Sequence, residues 1–291
     1  MSDSHLLRIQ HRTHYRYAAP VSFSPHRMVI RPREGHDLRV ESLELDISPA
    51  AQVVWTRDIL GNSVAHAYFK EEAPELKIGM DVVVRRFFDE TSPPPPFPPL
   101  GSSAYPLSYD TMEHGIIVGY LTPVYPEETA AVQDFARGLP DPGDFPDTEG
   151  FVLRLAELIH EKIRYQRREQ KGVQTPATTL SLQSGSCRDV ATLMMETLRH
   201  LGIAARFVSG YLDCPATRAA RGSTHAWTEA YFPQLGWRGF DPTTGKPCTH
   251  QHIATGTSHH PRGVMPITGG YFGPPGVFQG LAVAVEFAAA E

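Results

Sequence analysis

The segment Ser184-Gly-Ser-Cys-Arg-Asp-Val-Ala-Thr-Leu-Met-Met-Glu-Thr-Leu-Arg-His-Leu-Gly202 carries the strongest structural signal in the chain. Its apolar residues recur at three- and four-residue steps from Val190 to Leu201, which predicts a helix with one buried face. Ser186 suits the N-cap, and Asp189 three residues later completes the pattern of a capping box. The final glycine of the segment is a typical residue to end the helix.

Cys187 is the first residue of this predicted helix. The N–H groups of a first helical turn are unpaired and the helix dipole is positive there, so a thiolate would be stabilised. The same N–H groups can donate to a developing oxyanion, and Gly185 would let a substrate backbone approach. A small cysteine that is simply buried in a tight turn explains the segment equally well. The helix alone therefore leaves two interpretations.

A nucleophilic cysteine needs a base, and the base needs a group that orients it. The segment Thr224-His-Ala-Trp-Thr-Glu-Ala-Tyr-Phe232 has the alternation of a strand and offers His225 as the base. The hairpin that follows ends in Trp237-Arg-Gly-Phe-Asp-Pro-Thr243, which offers Asp241 as the orienting acid.

The register of this hairpin decides whether the two side chains can meet. Pairing of Phe232 with Trp237 places Asp241 on the face away from His225. Pairing of Tyr231 with Trp237 places both side chains diagonally on one face, about 7–8 Å apart at the backbone. A catalytic triad therefore requires the second register or a bulge.

Four sequence blocks follow one another in a defined order: Ser184-Gly-Ser-Cys-Arg-Asp189, Gly202-Ile-Ala-Ala-Arg-Phe-Val-Ser-Gly-Tyr211, Thr224-His-Ala-Trp-Thr-Glu-Ala-Tyr231 and Gly236-Trp-Arg-Gly-Phe-Asp-Pro-Thr-Thr-Gly245. In this combination the chain resembles the bacterial transglutaminase-like proteins, which belong to the papain-like cysteine-protease superfamily. The resemblance is close over residues 150–247. The N-terminal residues also look like the β-sandwich that precedes the core in this family.

The resemblance implies that Cys187 is the nucleophile, His225 the general base and acid, and Asp241 the orienter of the imidazole. The predicted reaction is thiol-dependent acyl transfer on a protein or peptide amide through a thioester. Water would resolve the thioester in a protease or amidase, and a lysine-like amine would resolve it in a transglutaminase. The alternative is a catalytically silent binding or scaffold protein that keeps the fold. Nothing in the sequence indicates an oligomeric state.

Four further residues are candidates for oxyanion or substrate binding. Gln183, four residues before the cysteine, suits a side-chain oxyanion donor. Gln174 is another candidate, and an ordinary exposed amide is the alternative for both. Tyr165 and Trp227 are expected at the walls of the site, although packing in the sheet would also explain them.

A group of possible zinc ligands lies downstream, at Cys248, His250, His252, His259 and His260. Thiolate and imidazole are the ligands that zinc prefers. The spacing fits no standard zinc site, however, and the resemblance requires no metal. We therefore predict no metal and no cofactor.

The rest of the chain divides into parts of different character. Residues 1–90 consist of short alternating segments separated by turn signals, which predicts an all-β sandwich. Six prolines between positions 93 and 99 favour polyproline II, so residues 91–109 are interpreted as a stiff linker or, alternatively, a ligand for a proline-recognising module. Residues 110–291 are expected to form a catalytic core with helices packed on an antiparallel sheet, which makes the fold class α+β.

Composition narrows the class of protein. The 291 residues include 27 basic and 32 acidic side chains, and the net charge of −5 argues against a strongly basic nucleic-acid binder. No run of 18 apolar residues is present, and the first residues lack the apolar stretch of a signal peptide, so no membrane association is expected. Three cysteines are too few for a disulfide framework, which favours the reducing cytoplasm.

Overall fold

A computed structural model describes residues 4–87, 104–168, 172–219, 222–233 and 235–290. In the N-terminal part, alternating apolar residues bury one face of each extended segment. The strands are β1 (Ser4–Phe23), β2 (His26–Met28), β3 (Leu38–Ser48), β4 (Ala51–Arg57), β5 (Ser63–Phe69) and β6 (Ala73–Phe87). They form two antiparallel sheets, in the orders β3-β6-β1 and β2-β5-β4. Apolar residues of both sheets share one hydrophobic core, as expected for a β-sandwich.

Helices and strands follow in the second half. The helices are α1 (Thr111–Leu121), α2 (Thr129–Arg137), α3 (Thr148–Lys162), α4 (Pro176–Leu182), α5 (Cys187–His200) and α6 (Pro215–Arg218). The strands are β7 (Arg164–Tyr165), β8 (Ser184–Gly185), β9 (Ala205–Leu212), β10 (His225–Phe232), β11 (Gly236–Asp241), β12 (Lys246–Pro247), β13 (His252–Ser258), β14 (Ile267–Thr268), β15 (Tyr271–Phe272) and β16 (Phe278–Ala289). An antiparallel sheet in the order β12-β11-β10-β9-β13 carries α5 against β10, so the chain is a mixed α+β protein.

The last strands of the chain return to the N-terminal sheets. β14 pairs with β2, while β15 and β16 pair with β1. Val285 and Phe287 of β16 are buried in the sandwich core. The expected division, which assigned all of residues 110–291 to the catalytic core, therefore has to be corrected for these strands. The alternation of β16 shows that it is a strand, but only the open edge of β1 decides where it pairs. Of the predicted linker, residues 91–103 lie outside the described residues.

Helix α5 is buried almost all round, rather than on the single face predicted. Its buried residues include the charged side chains of Glu196 and Arg199. Arg199 donates to the carbonyls of Thr122, Ala205 and His259 at 2.7–3.1 Å. Each of these carbonyls belongs to a different segment, so the Arg199 guanidinium joins α5 to three neighbouring segments.

Arg199→Met is expected to destabilise the fold by about 3–5 kcal/mol, because it leaves the buried Glu196 carboxylate and the carbonyls of three neighbouring segments without their cation. Urea unfolding measures the loss. Arg154→Met is the matched control, since Arg154 pairs only with surface glutamates and such pairs contribute about 0–1 kcal/mol. Equal stability of the two variants would contradict the role of Arg199.

Buried hydrogen bonds join the sandwich to the catalytic half. The Asn62 amide donates to the Thr257 carbonyl and accepts from the Thr257 N–H, both at 2.9 Å. The Tyr211 hydroxyl donates to the Ile30 carbonyl at 3.0 Å and lies 2.9 Å from Nδ1 of His11. Burial lowers the pKa of His11 to about 4, so this histidine is neutral in the core. The two halves are therefore held in a defined relation, and a cleft lies where they meet.

Candidate active site

Cys187 begins α5, and Ser186 is the N-cap, as the sequence predicts. The Asp189 carboxylate accepts hydrogen bonds from the Ser186 N–H at 2.7 Å and from its hydroxyl at 2.8 Å. Cys187 is 8% exposed, so its thiol is largely enclosed but still reachable. The sulfur thus sits at the positive end of a helix whose start is firmly held.

Asp189 also holds a neighbouring segment against the start of α5 through hydrogen bonds. It accepts from Arg168 Nε at 2.7 Å and from the Gln174 N–H at 2.8 Å. Burial alone would raise the pKa of this carboxyl, but the hydrogen bonds from Arg168, Gln174 and Ser186 hold the pKa below its usual value. A Cβ on Gly185 would lie 2.8 Å from the Asp189 Cβ. The glycine therefore makes room for the carboxylate, whereas the sequence suggested room for substrate.

The hairpin of β10 and β11 has the register that a triad requires. Tyr231 pairs with Trp237. His225 Nε2 donates to Asp241 Oδ2 at 2.9 Å. The turn is closed by Gly236, whose φ of 75° is a left-handed conformation that favours glycine. The candidate base and its orienter therefore share one face of the sheet.

His225 interacts with Cys187 on its other side. Because Nε2 faces Asp241, Nδ1 is the nitrogen left for the thiol. Burial lowers the pKa of His225, but hydrogen bonds to Asp241 and Cys187 outweigh this and raise it to about 10. Burial would likewise raise the pKa of Asp241, yet hydrogen bonds from His225 and His252 hold it far below its usual range. At neutral pH the pair is an imidazolium and a carboxylate.

A buried hydroxyl links the strand of the base to the helix of the nucleophile. Thr228 of β10 is fully buried and donates to the Ala191 carbonyl of α5 at 2.8 Å. Thr228 lies three residues after His225, and Ala191 lies four after Cys187. This contact therefore holds the two elements together close to the reacting groups.

His252 is the residue that sequence reasoning missed as a partner of Asp241. Its Nε2 lies 3.5 Å from Asp241 Oδ2, and its Nδ1 accepts from the Thr249 N–H at 3.1 Å. Since Nδ1 accepts, Nε2 carries the proton and donates to the carboxylate. β9 and β10 separate β13 from β11 in the sheet, so no spacing rule connects these residues.

One group among the described residues has metal-ligand geometry. The ligand atoms of His225, Asp241 and His252 lie within 4.8 Å of one another. Only His252 of the five downstream residues considered for zinc belongs to it. Both histidine nitrogens that face the group are engaged with the Asp241 carboxylate, and the Cys248 thiol has a pKa well above its usual value because of burial. The geometry is that of a hydrogen-bonded triad.

Of the other predicted site residues, one lies at the wall of the cleft and one does not. Tyr165 is 53% exposed and lines the cleft over Cys187, as expected for a site wall. Trp227 is buried and lies behind the histidines, with its ring centroid 5.3 Å from that of His252, so its expected place at the wall has to be corrected. Its ring packs against His252 and over Gly210 of β9, where an added Cβ would lie 2.7 Å from it.

The two glutamines considered as oxyanion donors do not line the cleft. Gln183 is exposed and ends α4 in a left-handed conformation with φ 47°. Gln174 donates its amide to the Ser184 carbonyl at 3.0 Å. One is a helix cap and the other supports a turn, so neither matches the expected role.

The cleft has a volume of about 660 Å³ and is lined by both halves of the molecule. Tyr17 and Phe278 come from the sandwich strands, whereas Cys187, His225 and Tyr165 come from the catalytic half. The sandwich therefore forms one wall of the space in front of the thiol. A cysteine at a helix start, an imidazole and a carboxylate in this order define the transglutaminase-like class of thiol sites.

Comparison with known proteins agrees with this class. Residues 7–85 match the bacterial transglutaminase-like N-terminal region, and residues 133–242 match the transglutaminase-like superfamily core. Uncharacterised proteins of Mycobacterium tuberculosis and Mycobacterium bovis are each 31% identical, over 92% of this chain and 88% of their own length. The chain belongs to the bacterial transglutaminase-like family.

A solved structure has the same fold. It is a protein of Cytophaga hutchinsonii, provisionally described as a cysteine protease, and it superposes with a TM-score of 0.75 over 100% of this chain and 92% of its own. The two sequences are 17% identical, so the likeness concerns the fold. In the part of the chain that the structure describes, no helix is long and apolar enough to cross a membrane.

Proposed function

We propose that the protein is a thiol-dependent hydrolase of protein or peptide amides, with Cys187 as nucleophile, His225 as general acid and base, and Asp241 as orienter. The carrying observation is the 2.9 Å hydrogen bond from His225 Nε2 to Asp241, which leaves Nδ1 for the thiol. A silent scaffold would not need an oriented, charged imidazole beside a reachable cysteine.

The chemistry follows from these positions. The Cys187 sulfur attacks the amide carbonyl carbon, and the oxyanion is held by the N–H groups at the start of α5. His225 gives its Nδ1 proton to the departing amine, so the C–N bond breaks and a thioester forms. His225 then takes a proton from water, which attacks the thioester and releases the carboxylate product and the thiolate.

Tyr165 is our candidate for the second oxyanion donor. It lines the same cleft as Cys187, and we assign to it the role for which the sequence offered Gln183 or Gln174. Burial and the Cys187 charge raise the pKa of its hydroxyl, so the proton remains available at neutral pH. A phenol O–H is a good donor to a developing negative charge.

Hydrolysis is favoured over transfer to an amine because the thiol, although largely enclosed, opens onto a cleft of about 660 Å³ that water can enter. Tyr165 beside the thiol is 53% exposed, and the His225 side chain is 12% exposed. Transfer requires that water be kept from the thioester. We infer a reducing compartment, such as the cytoplasm, because a thioester mechanism needs a free thiol and Cys187 is unpaired.

Mass spectrometry of a glutamine-containing peptide library, incubated with and without a primary amine, tests this function. Backbone cleavage or a gain of one oxygen in place of an NH group supports hydrolysis. Incorporation of the amine with loss of ammonia would show transfer instead. A folded protein that changes none of the peptides would favour the scaffold alternative.

His252→Phe is expected to lower kcat about three- to tenfold with little change in KM, because the donor to Asp241 is lost while substrate contacts remain. The size reflects one long hydrogen bond, worth about 0.5–1.5 kcal/mol. His252→Gln, whose amide can still donate, should recover part of the activity. A loss confined to thermal stability, without a change in kcat, would contradict this positioning role.

A further inference from the structure

The cleft in front of Cys187 has an unbalanced charge. It is lined by Arg167, Arg168, Arg188 and Arg262, and none of the described residues that line it is acidic. Arg168 is neutralised by the buried Asp189 carboxylate. The chain as a whole has a net charge of −5, so this concentration of cations is local.

The other three arginines form no ion pair with a carboxylate in the described ranges. Arg167 and Arg262 are exposed, and Arg188 is half-buried. The one side-chain hydrogen bond of Arg188 runs to the Arg168 carbonyl at 3.4 Å. Guanidinium groups that line a cleft without a carboxylate partner remain available to an anionic ligand.

Strand pairing brings Arg167 close to the nucleophile. β7 runs parallel to β8, with Tyr165 beside Gly185, and the Gln166 N–H donates to the Gly185 carbonyl at 2.8 Å. Arg167 lies two residues after Tyr165, and Cys187 lies two residues after Gly185. Arg167 and Arg188 therefore lie on the two segments that meet beside Cys187, and both line its cleft.

Electrostatic coupling agrees with this placement. The Tyr165 hydroxyl is influenced by Cys187, Arg167 and Arg188 together, the thiol raising its pKa and the two arginines lowering it. Cys187, Arg167 and Arg188 therefore all lie near the Tyr165 hydroxyl. Charges at the mouth of a partly enclosed cleft concentrate ligands of opposite sign.

We propose that this site selects acidic peptides, in which a carboxylate next to the reacting amide binds Arg167 and Arg188. The inference rests on the proposed function, since it names the substrate class of the same thiol. Arg262, on the segment Pro261–Val264, extends the positive wall along the cleft. A bidentate guanidinium–carboxylate contact would also orient the amide toward the sulfur.

Alkylation of Cys187 by iodoacetate and by iodoacetamide tests the charge preference without any substrate. The two reagents are alike in shape, but only iodoacetate is an anion. In the double variant Arg167→Gln/Arg188→Gln, we expect the ratio of the iodoacetate rate to the iodoacetamide rate to fall about tenfold. In the unaltered protein, added salt should lower the same ratio. Iodoacetamide corrects for any change in thiol reactivity.

Arg137→Gln is the matched control, because Arg137 is exposed and pairs with Asp134 outside the cleft. Arg167→Gln alone, at an exposed position, keeps the test open if the double variant does not fold. An unchanged ratio in the folded Arg167 variant, or a ratio insensitive to salt, would overturn the proposal.

Matched peptides test substrate choice directly. Peptides with Glu, Gln or Lys beside the same reacting amide should rank in that order in kcat/KM, with about tenfold between Glu and Lys. The order should disappear in the double variant. Equal turnover of the three peptides would overturn the proposal. If no peptide is turned over while alkylation keeps its preference for iodoacetate, the proposed hydrolysis fails and the anion preference remains.

Discussion

Cys187→Ser is expected to reduce amide turnover by about 10⁴-fold or more and to abolish labelling by iodoacetamide at near-neutral pH. A serine hydroxyl at the same position is not ionised by the imidazole to the extent that a thiol is, so the nucleophile is lost while the fold remains. Losses of this size are typical when a nucleophile is removed from a catalytic triad. Mass spectrometry of the labelled peptide gives the readout.

The other two cysteines provide matched controls. Cys214 caps the short helix α6, and Cys248 lies against Gly239, where burial raises the pKa of its thiol. Cys214→Ser and Cys248→Ser should therefore keep both the labelling and the turnover. If labelling persisted unchanged in Cys187→Ser, Cys187 could not be the reactive thiol.

Asp241→Asn should lower kcat/KM by about 10–100-fold, because the amide oxygen can still accept from His225 Nε2 but the charged hydrogen bond, worth about 1.5–3 kcal/mol, is lost. The pH profile should change as well. Hydrogen bonding to Asp241 and Cys187 raises the pKa of His225 to about 10 against the lowering effect of burial. Without the carboxylate, this pKa falls.

The direction of the pH shift follows from which protonation state of His225 is active. Acid catalysis needs the imidazolium, so activity declines as pH rises through the pKa of His225. Because the variant lowers that pKa, its alkaline limb should move to lower pH. Glu229→Gln is the control, since Glu229 lies on the same strand and pairs with Arg206 instead. An alkaline limb that stayed in place in Asp241→Asn would show that Asp241 does not set the charge of His225.

The start of α5 could be predicted because its signals are local. Ser186 and Asp189 lie within one turn of Cys187, and the capping pattern acts over that distance. The sequence predicted the hairpin but allowed two registers for it. The structure has the register in which Tyr231 pairs with Trp237. The difference is a shift of one residue, which exchanges the faces of a strand.

Contacts between residues far apart in the chain could not be predicted, because no local signal comparable to a helix cap marks them. His252 reaches Asp241 across a sheet in which their strands are not neighbours. Trp227 alternates with the core-facing residues of its strand, yet it is buried because His252 packs against it. The pairing of β16 with β1 depends on an edge that the rest of the fold leaves open.

By itself, then, the sequence determined the α+β class, the helix that begins at Cys187, and the identities of the candidate base and acid. These depend on periodicity, capping and residue type, which act between neighbours along the chain. Only the tertiary structure decided the hairpin register, the contact of His252 with Asp241 and the positively charged cleft between the two halves. Those features depend on which surfaces pack together, and packing brings together residues that are far apart in the chain.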